Sequence, residues 1–322
     1  MVEPFFCAEE SNTAGEDLIG CAVMAQFYVL VECPPPWSAN AFHSNQIPDN
    51  LRTLVQALKQ DKRTIRPLLI HRDRRQEPCT SVIILRQQDG VSFGYSKQEF
   101  QVSSLKEVAP LVSDYFNECH THEPIGTDTR DILVCTHGSH DKCCAKYGQS
   151  FYRQAIATVA QLALNPDVRV WQASHIGGHR FAPTAIDFPE GRYYGRLDQD
   201  SFTAILTRSG NTQCFNHVYR GWGILPWAAQ VLERALLLKY GWDWFKYGIV
   251  GRVIDHNEDE SWNRVEITLV RADHTSEVYQ ADVVIDDNKK LHLRGSCGNT
   301  ESYAVPQYAV KYLTKLAASA IP

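Results

Sequence analysis

Apolar residues along this chain switch repeatedly between a spacing of two, unbroken short runs, and helical spacing. Residues 26–32 hold Phe27, Tyr28, Val29, Leu30 and Val31 in succession and read as a strand of β-formers. Pro34, Pro35 and Pro36 stop it. Asp49 and Asn50 then cap a predicted helix in which Leu51, Leu54, Val55 and Leu58 share one face. Residues 66–71 and 80–86 read as two more strands. The first twenty residues are polar and are expected to be irregular.

Residues 118–129, with Pro124 and Gly126, read as a linker. A second unit opens on a buried strand, residues 131–134, that runs into Cys135. A helix is expected from Cys144 to Leu164, ended by Asn165-Pro166. Residues 168–173 form the next strand. A hairpin over 184–188 and 192–195 turns at Pro189-Glu190-Gly191, and Ser201 caps a short helix through Thr207. This strand–helix–strand–strand–strand–helix order is thioredoxin-like. Residues 226–240 read as an amphipathic helix packed on the core. Beyond Tyr247 the pattern turns to β, with strands over 249–255, 264–270, 277–285 and 290–294. The acidic run from His256 to Glu260 reads as a solvated hairpin loop, and a final helix is expected over 309–317. The fold class is therefore α/β, in three parts: an N-terminal α/β domain (1–124), a thioredoxin-like domain (125–245) and a β-rich C-terminal region (246–322). Cys33 and Cys135 both end a strand, which is too little to establish a repeat.

Composition narrows the function. A net charge of -5 gives no general affinity for nucleic acid. No apolar run reaches the roughly 18 residues needed to cross a bilayer. The N-terminus lacks the basic flank and apolar stretch of a secretion signal, so a cytoplasmic protein is expected. Ten cysteines in such a compartment suggest buried thiols or metal ligands. Cys7, Cys21, Cys33, Cys79, Cys119, Cys214 and Cys297 are scattered, and each alone reads as a small buried apolar side chain.

Cys135-Thr-His-Gly-Ser-His-Asp-Lys-Cys-Cys144 and His175-Ile-Gly-Gly-His179 are different, because thiols and imidazoles gather within two loops after strand ends. Thiolate and imidazole suit zinc, copper and iron–sulfur centres. Structural zinc usually takes cysteines two to four residues apart, and this gap is wider. Gly177 and Gly178 make a helix between the two histidines costly and allow a close backbone approach. Spacing alone leaves zinc and iron–sulfur level.

Cys135-Thr-His-Gly-x-x-Asp-x-Cys-Cys144-Ala-x-x-Gly148, followed by Ser174-His175-Ile-Gly-Gly-His179-Arg-Phe-Ala182, resembles the sucrase/ferredoxin-like family. Ala14-Gly15-Glu16, Leu30-Val31-Glu32, Pro35-Pro36-Trp37, Tyr194-Gly-Arg-Leu-Asp198 and Arg220-Gly221 extend the resemblance over residues 14 to about 240. Pro36 stands where the family pattern has glycine. The resemblance implies a thioredoxin-like ferredoxin domain carrying a 2Fe-2S cluster held by Cys135, Cys144, His175 and His179. It favours Cys144 over Cys143, because the family's ligand lies three residues after an aspartate, here Asp141. His137 is then a spare ligand, a hydrogen-bond donor to the cluster or a loop support. Asp141 caps the helix at Cys144, and Ser174 donates to a sulfur or packs. Arg180 brings charge to the cluster or binds a carbonyl or carboxylate. His140 is expected to face solvent.

Such a site implies one-electron transfer between protein redox partners that the sequence does not identify. Two neutral imidazoles in place of thiolates raise the potential and permit coupling to a proton. The alternatives are a thioredoxin-type thiol redox enzyme using Cys143 and Cys144, a zinc-stabilised binding module, and a protein that stores or transfers the cluster. The vicinal cysteines lack the two-residue spacer of disulfide oxidoreductases. No dinucleotide fingerprint or P-loop is present, and no pair of carboxylates can be assigned to glycoside hydrolysis. The stretch Lys62-Arg63…Arg66…Arg72-Asp-Arg74-Arg75 reads as solvated loop surface or as a dock for an acidic partner.

Overall fold

A computed structural model of the chain describes residues 5–73, 79–119 and 122–316. It opens with a helix, α1 (Cys7–Thr13), where an irregular segment was expected. The stripe it buries is Cys7, Ala8 and Ser11, side chains too small and mixed to register as an amphipathic pattern. The N-terminal half then runs β1 (Phe27–Glu32), α2 (Asp49–Gln60), β2 (Ile65–His71), β3 (Thr80–Gln87), β4 (Tyr95–Val102) and α3 (Leu105–Phe116). The second half repeats this order with β5 (Arg130–Cys135), α4 (Gln149–Gln161), β6 (Val168–Ala173), β7 (Ala185–Phe188), β8 (Arg192–Tyr194) and α5 (Gln199–Thr207).

The repetition extends to the pairing. In each half the first strand pairs parallel to the second and antiparallel to the third, and the third pairs antiparallel to the fourth. The two halves join edge to edge through β2 and β6, which pair antiparallel at Ile70↔Ala173 and His71↔Gln172. Two short sheets thereby become one mixed sheet of nine strands, in the order β4-β3-β1-β2-β6-β5-β7-β8-β9. The internal repeat that Cys33 and Cys135 were too little to establish is present in the topology. Cys33 falls one residue past the equivalent of Cys135. The Cys33 amide donates to the Ile70 carbonyl as the Thr136 amide, not that of Cys135, donates to Ala173.

The sheet ends in β9 (Tyr219–Trp222), preceded by the single turn α6 (Phe215–Val218). The predicted helix appears as α7 (Trp227–Tyr240), with Ala228, Ala229, Val231, Leu232, Leu236 and Leu237 buried. One side of α7 meets β9. Another meets a separate antiparallel sheet of β10 (Gly248–His256), β11 (Trp262–Val270), β12 (Ser276–Ile285) and β15 (Tyr308–Leu316), with the hairpin β13 (Leu291–Arg294) and β14 (Ser302–Val305) between the last two. The molecule is thus mixed α/β, with a large mixed sheet and a C-terminal antiparallel one. On β11, Val265, Ile267 and Leu269 point inward and alternate with more exposed residues.

The final helix expected over 309–317 is instead strand β15; Ala317 lies outside the described residues. Tyr308, Val310, Tyr312 and Thr314 recur at a spacing of two, and β12 supplies the open edge, pairing with Tyr308, Val310 and Thr314 around an irregularity that skips Tyr312. The helix α5 is capped by Asp198, which accepts from the Ser201 amide, while Ser201 returns a bond to the Asp198 amide. Ser201 is therefore the third residue of a capping box and not the cap.

The nine-stranded sheet curls enough for side chains of β4 to reach β5 and β6. Arg169 binds Asp131 through Nε at 2.6 Å and Glu99 at 2.8 and 3.0 Å, and Lys97 Nζ lies 2.6 Å from Asp131. Trp171 Nε1 donates to the same carboxylate at 2.7 Å. Burial pushes the Asp131 carboxyl up, but its bonds to Arg169 and Lys97 outweigh this and hold it below the usual range. Its ionised form therefore lends stability in full above the unfolded value near ~3.9, and that stability is lost as pH falls through the lower folded value. Asp131→Asn leaves Arg169 and Lys97 short of one buried counter-charge. It is expected to cost about 3 kcal/mol at neutral pH in urea unfolding. Its unfolding midpoint should also vary less with pH below about 4 than that of the unsubstituted protein.

Candidate metal centre

Both loops that carry the cysteine and histidine motifs leave the C-terminal ends of parallel strands, β5 and β6. After Cys135 the chain turns through residues 136–142, and a wide turn over Cys144–Gly148 leads into α4. Gly148 lies against the end of β5, where a Cβ would collide with the Cys135 carbonyl oxygen. That contact lets Cys144 face Cys135. Their sulfurs are 3.4 Å apart, and both thiols are buried. His175 Nδ1 faces the pair at 3.9 Å from Cys135 Sγ and 4.0 Å from Cys144 Sγ.

His179 follows on the far side of the Gly177-Gly178 turn and groups with His175 and His140. Both glycines take positive φ, +89° and +72°, and a Cβ on Gly178 would strike the Arg220 guanidinium. Arg220 donates to the Gly177 carbonyl at 3.0 Å and to the Cys21 carbonyl at 3.0 Å. The close approach that the glycines permit is thus to an arginine that anchors the loop from beneath. The rings of His175 and His179 lie 5.4 Å apart. His179 Nε2 donates to the Gly295 carbonyl at 2.7 Å, which leaves Nδ1 as the nitrogen with the lone pair. That Nδ1 is buried and has no hydrogen-bond partner among the described residues. Cys135, Cys144 and His175 bring their ligand atoms within 4.8 Å of one another, and His179 falls in an adjoining group with His140 and His175. Close thiols and imidazoles, one with an open buried nitrogen, are donors suited to a thiophilic metal centre.

The remaining predicted residues hold this arrangement from outside. His137 donates from Nε2 to the Ser38 carbonyl at 2.8 Å and accepts the His175 amide at Nδ1, 3.1 Å. Both its nitrogens are occupied, so it supports the loop. Ser174 Oγ accepts the Leu69 amide at 3.0 Å, across the seam between the halves, and does not turn to a sulfur. Arg180 pairs with Glu16 at 2.7 Å and donates to Tyr303. Asp141 accepts the Cys143 amide at 2.8 Å and the Cys297 amide at 3.1 Å. His140 is exposed as expected, yet its ring stacks on His175 at 3.7 Å between centroids. It lies close enough for its nitrogens to share a centre with His175 and His179.

Cys143 and Cys144 turn their thiols into different groups. Cys143 Sγ lies 3.5 Å from Cys7 Sγ and 3.3 Å from Cys297 Sγ, with Asp141 beside them. Cys7 and Cys297 were expected to be isolated buried thiols. They are 290 positions apart in sequence, so no local spacing could have joined them. No disulfide links any of the ten cysteines. Within the first pair, the Cys144 thiol and the His175 imidazole hold Cys135 well below the usual thiol range, while Cys144 is pushed up.

Of the basic stretch, Arg63 binds Asp61 and Arg66 donates to the Tyr193 hydroxyl. Arg72 lies over the Trp171 ring; Arg74 and Arg75 are outside the described residues. No described helix is long and apolar enough to cross a membrane. A groove of about 860 Å³, lined by Phe27, Arg63, Arg86 and Tyr115, lies at the other end of β1 and includes none of the cysteine or histidine ligand candidates.

Gly148→Ala is expected to force α4 away from β5 and cost about 1–3 kcal/mol. Urea unfolding checks the cost. Faster alkylation of Cys144 in the folded variant checks the displacement, and an unchanged rate would contradict it.

Residues 18–221 match the family described as sucrase/ferredoxin-like. Two yeast proteins named altered inheritance of mitochondria protein 32 are similar over shorter stretches. The one from Meyerozyma guilliermondii is 31% identical over 78 residues, 23% of this chain and 28% of that protein. The one from Debaryomyces hansenii is 33% identical over 107 residues, 31% of this chain and 37% of that protein. These matches therefore span well under half of the relatives' length, and no solved structure matches the chain. With the family's match covering more than half of the chain, this protein belongs to the sucrase/ferredoxin-like family.

Proposed function

We propose that the protein is a one-electron carrier with a 2Fe-2S cluster held by Cys135, Cys144, His175 and His179. One observation carries the reading: two buried thiols 3.4 Å apart face His175 Nδ1, and the ring of His179, with its open Nδ1, lies 5.4 Å from that of His175. The repeated strand–helix–strand–strand–strand–helix order supports a thioredoxin-like domain around it. When bound, the cluster supplies reversible one-electron oxidation and reduction.

The chain's own residues set the conditions for that chemistry. Cys135 and Cys144 deliver their sulfurs from the end of a buried strand and the turn before α4, both rigid supports. His175 and His179 deliver neutral nitrogens, so the ligand set carries two charges fewer than four thiolates. Sites with two imidazoles lie at roughly -150 to +300 mV, against about -400 mV for all-thiolate plant-type ferredoxins. The two imidazoles differ in their outer nitrogens. The Gly295 carbonyl holds the proton on His179 Nε2. His175 Nε2 has no protein hydrogen bond among the described residues, so it is the atom at which a proton is exchanged. His140 stacks on the His175 ring and is itself exposed to solvent.

Cys143 turns away from Cys144, which weakens the reading of a vicinal dithiol enzyme. A cytoplasmic location and protein partners for electron exchange belong to this proposal. So does the division into domains at about residues 124 and 245.

Anaerobically purified protein is expected to be coloured, to contain iron and sulfide in equal amounts, and to give a low-spin paramagnetic signal on reduction. Colourless protein with zinc alone in this site would overturn the reading. His175→Cys and His179→Cys should keep the cluster and lower its potential, Cys144→Ser should lose it, and Cys143→Ser should keep it. The midpoint potential should fall with rising pH between about 6 and 9. Replacing His175 should flatten that slope more than replacing His179.

A further inference from the structure

We infer that Cys7, Cys143, Cys297 and Asp141 form a second metal site, a closed tetrahedral zinc site separate from the cysteine–histidine centre. Three thiols from α1, from the start of the wide turn, and from the loop between β13 and β14 converge on one point. Their sulfurs lie 3.3, 3.5 and 3.6 Å from one another. A zinc–sulfur bond of about 2.3 Å places tetrahedral sulfurs about 3.8 Å apart. A disulfide would need about 2.05 Å. The triangle is therefore near the spacing of metal ligands and far from that of a disulfide, which in any case could use only two of the three thiols.

The fourth vertex is Asp141. Its Oδ1 lies 3.2 Å from Cys297 Sγ and 4.0 Å from Cys7 Sγ. The amides of Cys143 and Cys297 each donate to this carboxylate, which fixes its orientation. The Ala8 amide donates to Cys143 Sγ at 3.4 Å, a bond that stabilises a thiolate. Close apolar packing explains buried cysteines beside Ala182, Phe5 and Phe6, but it does not explain a carboxylate in their midst. Asp141 is 6% exposed, and its nearest cationic candidate is His179 Nε2 at 3.8 Å. A divalent ion supplies the missing positive charge, and on binding each thiol gives up its proton.

Four protein ligands with no open position make a structural site. Cys7 and Cys297 both lie outside residues 18–221, so the site uses segments the family match does not cover. Its effect is to clamp α1 and the 295–297 loop onto the cysteine loop. That loop also carries the Gly295 carbonyl, which orients His179.

Metal analysis of protein purified anaerobically from zinc-supplied cells tests this, with iron and sulfide counted separately. The unsubstituted protein is expected to hold one zinc per chain, whatever its iron content. A Cys7→Ser/Cys297→Ser double variant should lose that zinc and keep the iron. Cys135→Ser should lose iron and keep zinc. If the double variant does not fold, Co2+ titrated into reduced, metal-stripped unsubstituted protein decides. A tetrahedral spectrum with intense thiolate charge transfer, and protection of Cys7, Cys143 and Cys297 from alkylation, supports the site. Absence of zinc together with no tetrahedral Co2+ spectrum would overturn it, as would zinc unchanged in a folded double variant.

Discussion

The seam between β2 and β6 is the constraint on which the rest of the molecule depends. Only two residue pairs make it, Ile70↔Ala173 and His71↔Gln172. Ser174 extends it by donating its amide to the Leu69 carbonyl and accepting the Leu69 amide at Oγ. Because the paired strands run antiparallel at this edge, each half meets the same edge of its counterpart. The loop after β1 is thereby brought beside the loop after β5. Trp37, Ser38 and Ala39 then present their carbonyls to Ser139, His137 and His140 in turn. The proline-rich turn that ends β1 is thus a cradle for the loop that carries the cysteines.

That cradle explains how two imidazoles come to show one particular nitrogen each. His137, fixed by Ser38, accepts the His175 amide and so sets the backbone from which the His175 ring projects. The Gly295 carbonyl selects the tautomer of His179. Arg220 carries the glycine turn between them. The Ser38 and Gly295 carbonyls and the Arg220 guanidinium keep their hydrogen bonding near neutral pH, and burial holds His137 below the usual imidazole range, in the neutral form that can accept the His175 amide. The ligand candidates lie in loops, but their direction is set by the sheet.

Local order was legible wherever burial follows a simple period. The strands ending at Glu32, Cys135 and Ala173, the helix α7 and the sheet beginning at Gly248 follow from apolar runs and alternation. Elements were missed where burial relies on small or polar side chains, as in α1, or where an open edge elsewhere overrides a mixed pattern, as β12 does for β15. The repeat escaped notice because the two halves share topology and not motifs. The strand end that holds Cys135 in one half is Glu32 in the other.

By itself the sequence determined which side chains could bind metal in the central loops, because Cys135, Cys143, Cys144, His175 and His179 gather at the end of one strand and in the loops after two strands that it makes legible. It also showed that Gly177 and Gly178 disfavour a helix between the histidines and allow a close backbone approach; that both take positive φ, with Gly178 against the Arg220 guanidinium, was decided by the tertiary structure. Only the tertiary structure decided how the vicinal thiols divide, with Cys144 toward Cys135 and Cys143 toward Cys7 and Cys297. The reason is physical. A side chain's direction out of a turn depends on what packs against each side of it. Here one side is the end of β5 and the other is formed by segments from both ends of the chain, which come together only when the whole sheet is closed.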